Sequence, residues 1–415
     1  VAVHRAGFRR PARRRPRVAA AIIGRALDPS EAMFAGNRST VAYSAFGIGT
    51  LDIDALTTAF HALLASYPVL NTQIVPHEHG YALRQAPHPP ALQVGTCTAL
   101  PRAGFTIVDP DAVCAIDVAQ RGNDFRLTLL THHSIADAGA ALNYLEVLCS
   151  LYTHVVETGS AGTLRSHPLA ISLERFLAEH GYVIPEPCAP PAPRAETPVD
   201  STVVVRHGRT RLEREQTTRL FDAARVVGLT VHGIVCAAIL LAAHALSRSE
   251  GQVAFGLTSS VDLRTRTGAP LAAAQGTVIQ GADTAILAVA PDDDPLRLAR
   301  AVLDSLAGGL ADHSVHQAFL RYSQPQQSIE NPLMVTNWGQ VPPLCLPEGL
   351  RVHDFRATVR GWRIGLRATT LPPSFFITTC DGRLSLDHPV WVIDESDPTV
   401  AWTAALGRAF GRILR

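Results

Sequence analysis

The chain contains no lysine: every basic residue among its 415 is arginine or histidine. A lysine Schiff base and the lysine of a phosphate-binding P-loop are therefore excluded. It is also poor in organised cysteine. Seven are present (Cys97, Cys114, Cys149, Cys188, Cys236, Cys345 and Cys380), odd in number, scattered and without CxxC spacing. That pattern supports neither a disulfide framework nor a zinc site, and it leaves reduced thiols in a cytoplasmic protein as the expectation, with no metal. Excess charge is lacking too, the formal net charge being +1, so nothing in the balance suggests nucleic acid as a partner. Long apolar runs are missing as well. The strongest, Val231 to Leu246, carries His232 and His244 and falls short of the ~20 residues of a membrane span. A buried core helix is expected there, with no membrane span.

Length supplies the first positive statement, because 415 residues exceed one ordinary core and predict two domains of about 200 residues each. A proline-rich stretch around Pro185, Pro187, Pro190, Pro191 and Pro193 can be neither helix nor central strand. It sets the expected division: an N-terminal domain over 18–183, a linker over 184–200 and a C-terminal domain over 201–415. Residues 1–17, with seven arginines between Arg5 and Arg17, are expected to form a disordered basic extension. The apolar run behind them is shorter than a signal h-region.

The chemistry concentrates at His132-His133-Ser134-Ile135-Ala136-Asp137. Upstream, Asp124 to Thr131 alternates, with Phe125, Leu127 and Leu129 on one face and Arg126 and Thr128 on the other, which predicts a strand. If the extension continues, His133 shares the face of Phe125. Downstream, Leu142, Leu145, Leu148 and Leu151 are spaced for a helix ending near Gly159. An imidazole at a strand-to-helix turn suits a general base near neutral pH, and a carboxylate four residues on can fix its tautomer or brace the turn. A structural histidine turn is the competing reading.

Further signals fill in the architecture. Helices are expected over 52–66, 140–158, 212–227, 231–247 and 398–414, with strands at 202–206, 253–258, 284–289, 333–336 and 355–358. Phe375 to Cys380 and Arg383 to Leu386 read as a hairpin across Asp381-Gly382, the pair a type I′ turn prefers. Strands and helices mix without regular alternation, so the fold class is α+β with mixed sheets.

His132 to Asp137 resembles the HHxxxDG motif of the condensation-domain superfamily, whose fold is that of chloramphenicol acetyltransferase. Leu27 to Phe34, Leu51 to Leu56, Phe60 to Leu70, Val261-Asp262-Leu263-Arg264 and Val335-Thr336-Asn337-Trp338-Gly339 resemble its polyketide-associated acyltransferase branch, which includes phthiocerol dimycocerosyl transferase. The resemblance implies two chloramphenicol acetyltransferase-like domains, each a mixed sheet flanked by helices, with the active site in the cleft between them. It also implies transfer of an acyl group from acyl-CoA or a phosphopantetheine-linked thioester, with no bound cofactor, to an alcohol of a lipid, polyketide or other secondary metabolite. His133 would be the general base, with His132, Asp137, Ala138 and Gly139 in support. Asn337, Trp338 and Gly339 would lie on the substrate or oxyanion side, and Asp262 and Arg264 would form a structural ion pair. An acyl carrier protein or polyketide synthase is the expected partner, and a monomer the expected state.

Two departures stand out. Ala138 replaces the glycine that usually follows the motif aspartate, with Gly139 one place later; if that glycine were needed for positive φ, alanine would be strained. This keeps open a silent domain that recruits a carrier or tailoring enzyme. Asn71 stands where peptide-forming relatives usually carry arginine, which favours ester formation over amide condensation and leaves Asp137 without an identified cationic partner.

Overall fold

The computed structural model describes residues 24–36, 39–78, 80–95, 112–185, 204–320, 329–360, 372–392 and 397–414. The first half runs α1 (Pro29–Gly36), β1 (Thr40–Ile48), α2 (Ile53–Ser66), β2 (Thr72–His77), β3 (Gly80–Gln85), β4 (Leu92–Gly95), β5 (Cys114–Arg121), β6 (Asp124–His132), α3 (Ala138–Thr158) and α4 (Leu173–Glu179). The second continues with β7 (Val204–Arg211), α5 (Arg214–Val226), α6 (Val231–Ser247), β8 (Val253–Asp262), β9 (Gln280–Val289), α7 (Pro295–Ala311), α8 (Ser314–Gln317), β10 (Pro332–Gln340), β11 (Arg351–Arg360), β12 (Ser374–Cys380), β13 (Arg383–Val392) and α9 (Pro398–Ile413).

Two mixed sheets organise these elements, in the orders β11-β1-β6-β5-β4 and β7-β13-β12-β10-β8-β9, and β2-β3 form a separate ribbon. The alternation in β6 decides how the first sheet is covered: Phe125, Leu127 and Leu129 join one apolar core with Leu56, Phe60 and Leu63 of α2 and Leu145 and Leu148 of α3. Arg126, on the opposite face, donates to Asp117 of β5. In the second half α6 is apolar around most of its circumference because it is enclosed; Ile234 to Ala243 are all buried, in a core shared with Leu298 and Val302 of α7 and Leu406 and Phe410 of α9. No single helix among the described residues is long and apolar enough to cross a membrane.

Local signals end the elements where physical chemistry requires. Asp52 caps α2 by accepting from the Ala55 amide, Thr230 caps α6 through the Gly233 amide, and Gly159 closes α3 with φ 77°. Asp381 and Gly382, at φ 50° and 70°, link β12 to β13 with Cys380 opposite Arg383, the two-residue turn expected there.

The sheets do not partition at residue 200. β11, from the second half, pairs along its length with β1, Ala357 lying opposite Tyr43, and so completes the first sheet. The strand carrying the histidine motif extends one residue past the alternation of Asp124 to Thr131 and does not reach His133. β6 ends at His132, and His133 lies in the turn beyond it. The expected extension and linker, residues 1–17 and most of 184–200, lie outside the described residues.

Candidate active site between the two halves

Asp137 is the residue on which the site is built. Its backbone is extended, and its side chain caps α3 by accepting from the Ala140 amide at 3.0 Å. The other carboxylate oxygen accepts from Arg264 Nη1 at 2.7 Å and from the Ile279 amide at 2.9 Å, and the Asp137 amide donates to the Thr277 carbonyl at 3.0 Å. Three of these four bonds cross to the second half of the chain. Arg264, with its side chain 4% exposed, donates in turn to the carbonyls of Ala273 and Gly276 and reaches Asp262 at 3.2 Å. The pair expected between Asp262 and Arg264 is thus present, but the buried partner of Arg264 is Asp137. The cation that the sequence left unassigned is supplied from 127 residues away.

This bracket fixes the histidine turn. His132 is buried; its amide donates to the Val113 carbonyl, and its Nδ1 accepts from the Ser134 amide at 3.2 Å. Ser134 Oγ donates to the Glu31 carbonyl at 2.7 Å. The His133 amide donates to the Ser39 carbonyl at 2.7 Å, which continues the β1–β6 ladder one bond past the strand. The imidazole of His133 donates from Nδ1 to the Ala136 carbonyl at 3.2 Å. A carbonyl can only accept, so the bond places the proton on Nδ1 and leaves Nε2 with its lone pair. Burial lowers the His133 pKa below its ordinary value; the Asp137 charge and the Ala136 bond pull it back only in part. The ring is therefore neutral near pH 7.

Beside the bracket lies a cavity of about 110 Å³ lined by Asp137, Ala138, Gly139 and Leu142 from the first half and by Ser260, Asp262, Arg264, Gln280, Thr336, Asn337 and Trp338, among others, from the second. His133 is not among the lining residues. The volume is below the ~300–1,000 Å³ of a typical ligand pocket. Ala138 and Gly139 are the first two residues of α3, and helix geometry gives their amides no intrahelical acceptor. Ala138 has an ordinary helical backbone; neither it nor Gly139 has positive φ. The alanine in place of the motif glycine is unstrained, because the helix has already begun at this position.

The Asn337-Trp338-Gly339 segment closes the cavity from β10. Asn337 Oδ1 accepts from the Gly339 amide at 2.9 Å, and Gly339 takes φ 68°, so the asparagine shapes a bulge at the end of the strand. Trp338 stacks on Tyr43 at 4.9 Å between ring centroids, and its buried Nε1 has no hydrogen-bond partner among the described residues. Gly339 is exposed and outside the cavity lining. A second cavity, of about 230 Å³, lies between α6 and α9. There Arg412 is tied to the carbonyls of Pro291, Asp292 and Asp293, and His244 to that of Gly251. Their hydrogen-bonding groups are spent on the fold.

Several contributors escaped the sequence reading. Glu31 is fully buried, paired with Arg25 at 2.6 Å and accepting from Thr277 Oγ1 at 2.6 Å, and it binds α1 to the loop before β9. Phe34 stacks on His133. A buried glutamate in an otherwise apolar segment is a local signal for an ion pair; nothing local names the partners.

Residues 201–389 match the family described as phthiocerol/phthiodiolone dimycocerosyl transferase C-terminus. A phthiocerol/phthiodiolone dimycocerosyl transferase of Mycobacterium sp. (strain JLS) is 28% identical over 364 residues, 79% of this chain and 84% of the relative. Over most of its length the chain is similar to phthiocerol/phthiodiolone dimycocerosyl transferases. Its fold is similar to that of polyketide synthase associated protein 5 from Mycobacterium tuberculosis, with a TM-score of 0.74 at 23% identity over 94% of this chain and 96% of that one. The first condensation domain of the calcium-dependent antibiotic synthetase, in complex with a substrate analogue, gives 0.66 at 16% identity over 94% and 95% of the two chains. The chain shares the two-lobed fold of these structures, and its histidine turn sits where the halves meet.

Proposed function

We propose that the protein transfers an acyl group from a thioester to an alcohol, with His133 as the general base. The observation that carries this reading is the imidazole itself: neutral, its tautomer set by the Ala136 carbonyl, and four residues before Asp137, which lines an interlobe cavity. Nε2 takes the proton of the acceptor hydroxyl as its oxygen attacks the thioester carbonyl. The tetrahedral intermediate then collapses, the C–S bond breaks, and the thiolate recovers the proton from Nε2. No covalent acyl-enzyme is needed.

The remaining groups divide between support and stabilisation. His132 and Asp137 hold the turn, and Arg264 with Asp262 holds Asp137. Amides at the start of α3, at Ala138 and Gly139, together with Asn337 and Trp338, are the donors assigned to the developing oxyanion; the Gly339 amide is spent on Asn337. The donor is acyl-CoA or an acyl group on the phosphopantetheine arm of a carrier protein, the latter supplied by a polyketide synthase, and the acceptor is an alcohol of a lipid, polyketide or other secondary metabolite. A cytoplasmic monomer working across two domains belongs to the same reading.

The test is thiol release from acyl-CoA donors of short and long chain with a panel of alcohols and amines, wild type against His133→Ala. A general base contributes ~10²–10⁴-fold, and the variant is expected to lose that much kcat with its thermal midpoint kept. Equal release by both proteins would remove His133 as base. Because burial holds the pKa below the ordinary histidine value, activity should persist through mildly acidic pH and fall only as pH drops through the lowered pKa and the ring gains a proton.

A further inference from the structure

We propose that Phe34 is a positioning residue for the His133 imidazole: carried on α1, its ring holds the imidazole in the plane that directs Nε2 toward the acceptor hydroxyl. The role rests on His133 being the base. The two rings lie 4.1 Å apart between centroids and 20° from parallel, so one face of the imidazole is covered by a flat apolar surface. Phe34 is 7% exposed, yet among the described residues it belongs to none of the packed apolar clusters. Its α1 neighbours Ala32 and Ala35 do pack into the core of the first half. The burial of Phe34 is therefore burial at the histidine turn.

A single hydrogen bond at 3.2 Å from Nδ1 leaves an imidazole free to tilt about that contact. A stacked ring removes the tilt, provided the ring itself cannot move. α1 meets that condition. Glu31 is bonded to Arg25, to the Asp28 amide and to Thr277, and Ser30 donates from both its amide and its hydroxyl to Glu174 at the start of α4. The Glu31 carbonyl accepts from Ser134, so helix and turn are also joined directly. Stacking aromatics can stabilise an imidazolium by cation–π attraction. Here the exclusion of water from the covered face opposes protonation more strongly, in line with burial as the leading influence on the ring.

The experiment compares Phe34→Ala, Phe34→Leu and Phe34→Tyr with wild type by steady-state thiol release over pH and by the NMR titration of ¹⁵N-labelled histidine. The His133 signals are assigned by their loss in His133→Gln. Phe34→Ala should lower kcat about tenfold with KM for the acyl-CoA within about twofold, and should move both the acid limb and the imidazole titration up toward the ordinary value. Phe34→Tyr, which keeps the stack, should restore both. Phe34→Leu, which keeps burial without a plane, should restore the titration and not kcat. An unchanged titration in Phe34→Ala, or equal loss of kcat in the alanine and tyrosine variants, would overturn the role. Full activity in His133→Gln would instead overturn the base assignment and this role with it; dependence on His133 without a response at Phe34 would remove this role alone.

Discussion

Two clusters of buried charge, each with a neutral histidine close by, tie this chain together by different means: one crosses between its halves, the other lies within the second half. Around Asp137 the carboxylate is spent on a helix cap, a strand amide and Arg264, and the third member, Asp262, keeps a side chain 58% exposed beside a cavity. Across β7, β11 and β13, Arg209 holds Asp354 through two bonds of 2.6 and 2.7 Å and Arg356 holds Asp387 at 2.8 Å, charge facing charge between strands. The histidines follow their surroundings. His133 lies near a carboxylate that offsets part of the effect of burial, whereas His388 is lowered to about 4 by burial and then by the charge of Arg356. A neighbouring carboxylate works against the effect of burial on an imidazole, and a neighbouring guanidinium adds to it.

The largest effect expected from breaking this comparison comes from the two arginines. Arg264→Met strands the buried carboxylate of Asp137 and should cost about 3–5 kcal/mol of stability in urea unfolding; Arg209→Met leaves Asp354 with Arg211 at 3.5 Å and should cost less. They should part in turnover per folded molecule. Arg264→Met frees the bracket of the histidine turn and should lose most of kcat, while Arg209→Met should keep kcat. An Arg264→Met protein turning over at the wild-type rate would separate the bracket from the chemistry.

Acid stability sharpens the contrast between the histidines. His388 titrates near 4 in the folded chain and near 6.5 when unfolded, so between those values the unfolded state binds more protons and stability falls as pH falls. Exchanging His388 for glutamine should flatten the loss of stability measured between about pH 6.5 and 4, with little effect on kcat at pH 7. An identical slope in the two proteins would mean that the ring is charged inside the fold.

The smallest expected effect is at Ala138. Since α3 has begun there with ordinary backbone angles, Ala138→Gly should lower stability by about 0.5–1 kcal/mol and change kcat by no more than about twofold. A large gain in activity would show that the methyl group crowds the reacting carbonyl.

How much could be read in advance depended on the range of the interaction. The strand leading into the histidines, the cap and length of α3, the two-residue turn at Asp381-Gly382 and the enclosed helix α6 all come from periodicity and neighbouring residues. The alternation over Asp124 to Thr131 was legible, and β6 runs to His132; that the turn beyond it is held by a bond from Ser134 to Glu31, 103 positions away, was not. β11 could be recognised as a strand, but its place in the first sheet could not, since a β-ladder records no partner in its own sequence. Asn337 was legible as a strand end or a substrate contact; its bond to the Gly339 amide shows that it shapes the bulge, and the cavity beside it keeps the second role open to test.

Taken alone, the order of residues determined the elements, the motif and the chemistry its side chains can support, because helical and strand periodicity, caps and turn preferences act over a few residues. Tertiary structure decided which cation meets Asp137 and which ring covers His133. Those outcomes depend on side chains brought together from about a hundred residues apart or more, where packing and charge pairing choose among partners that local sequence leaves equivalent.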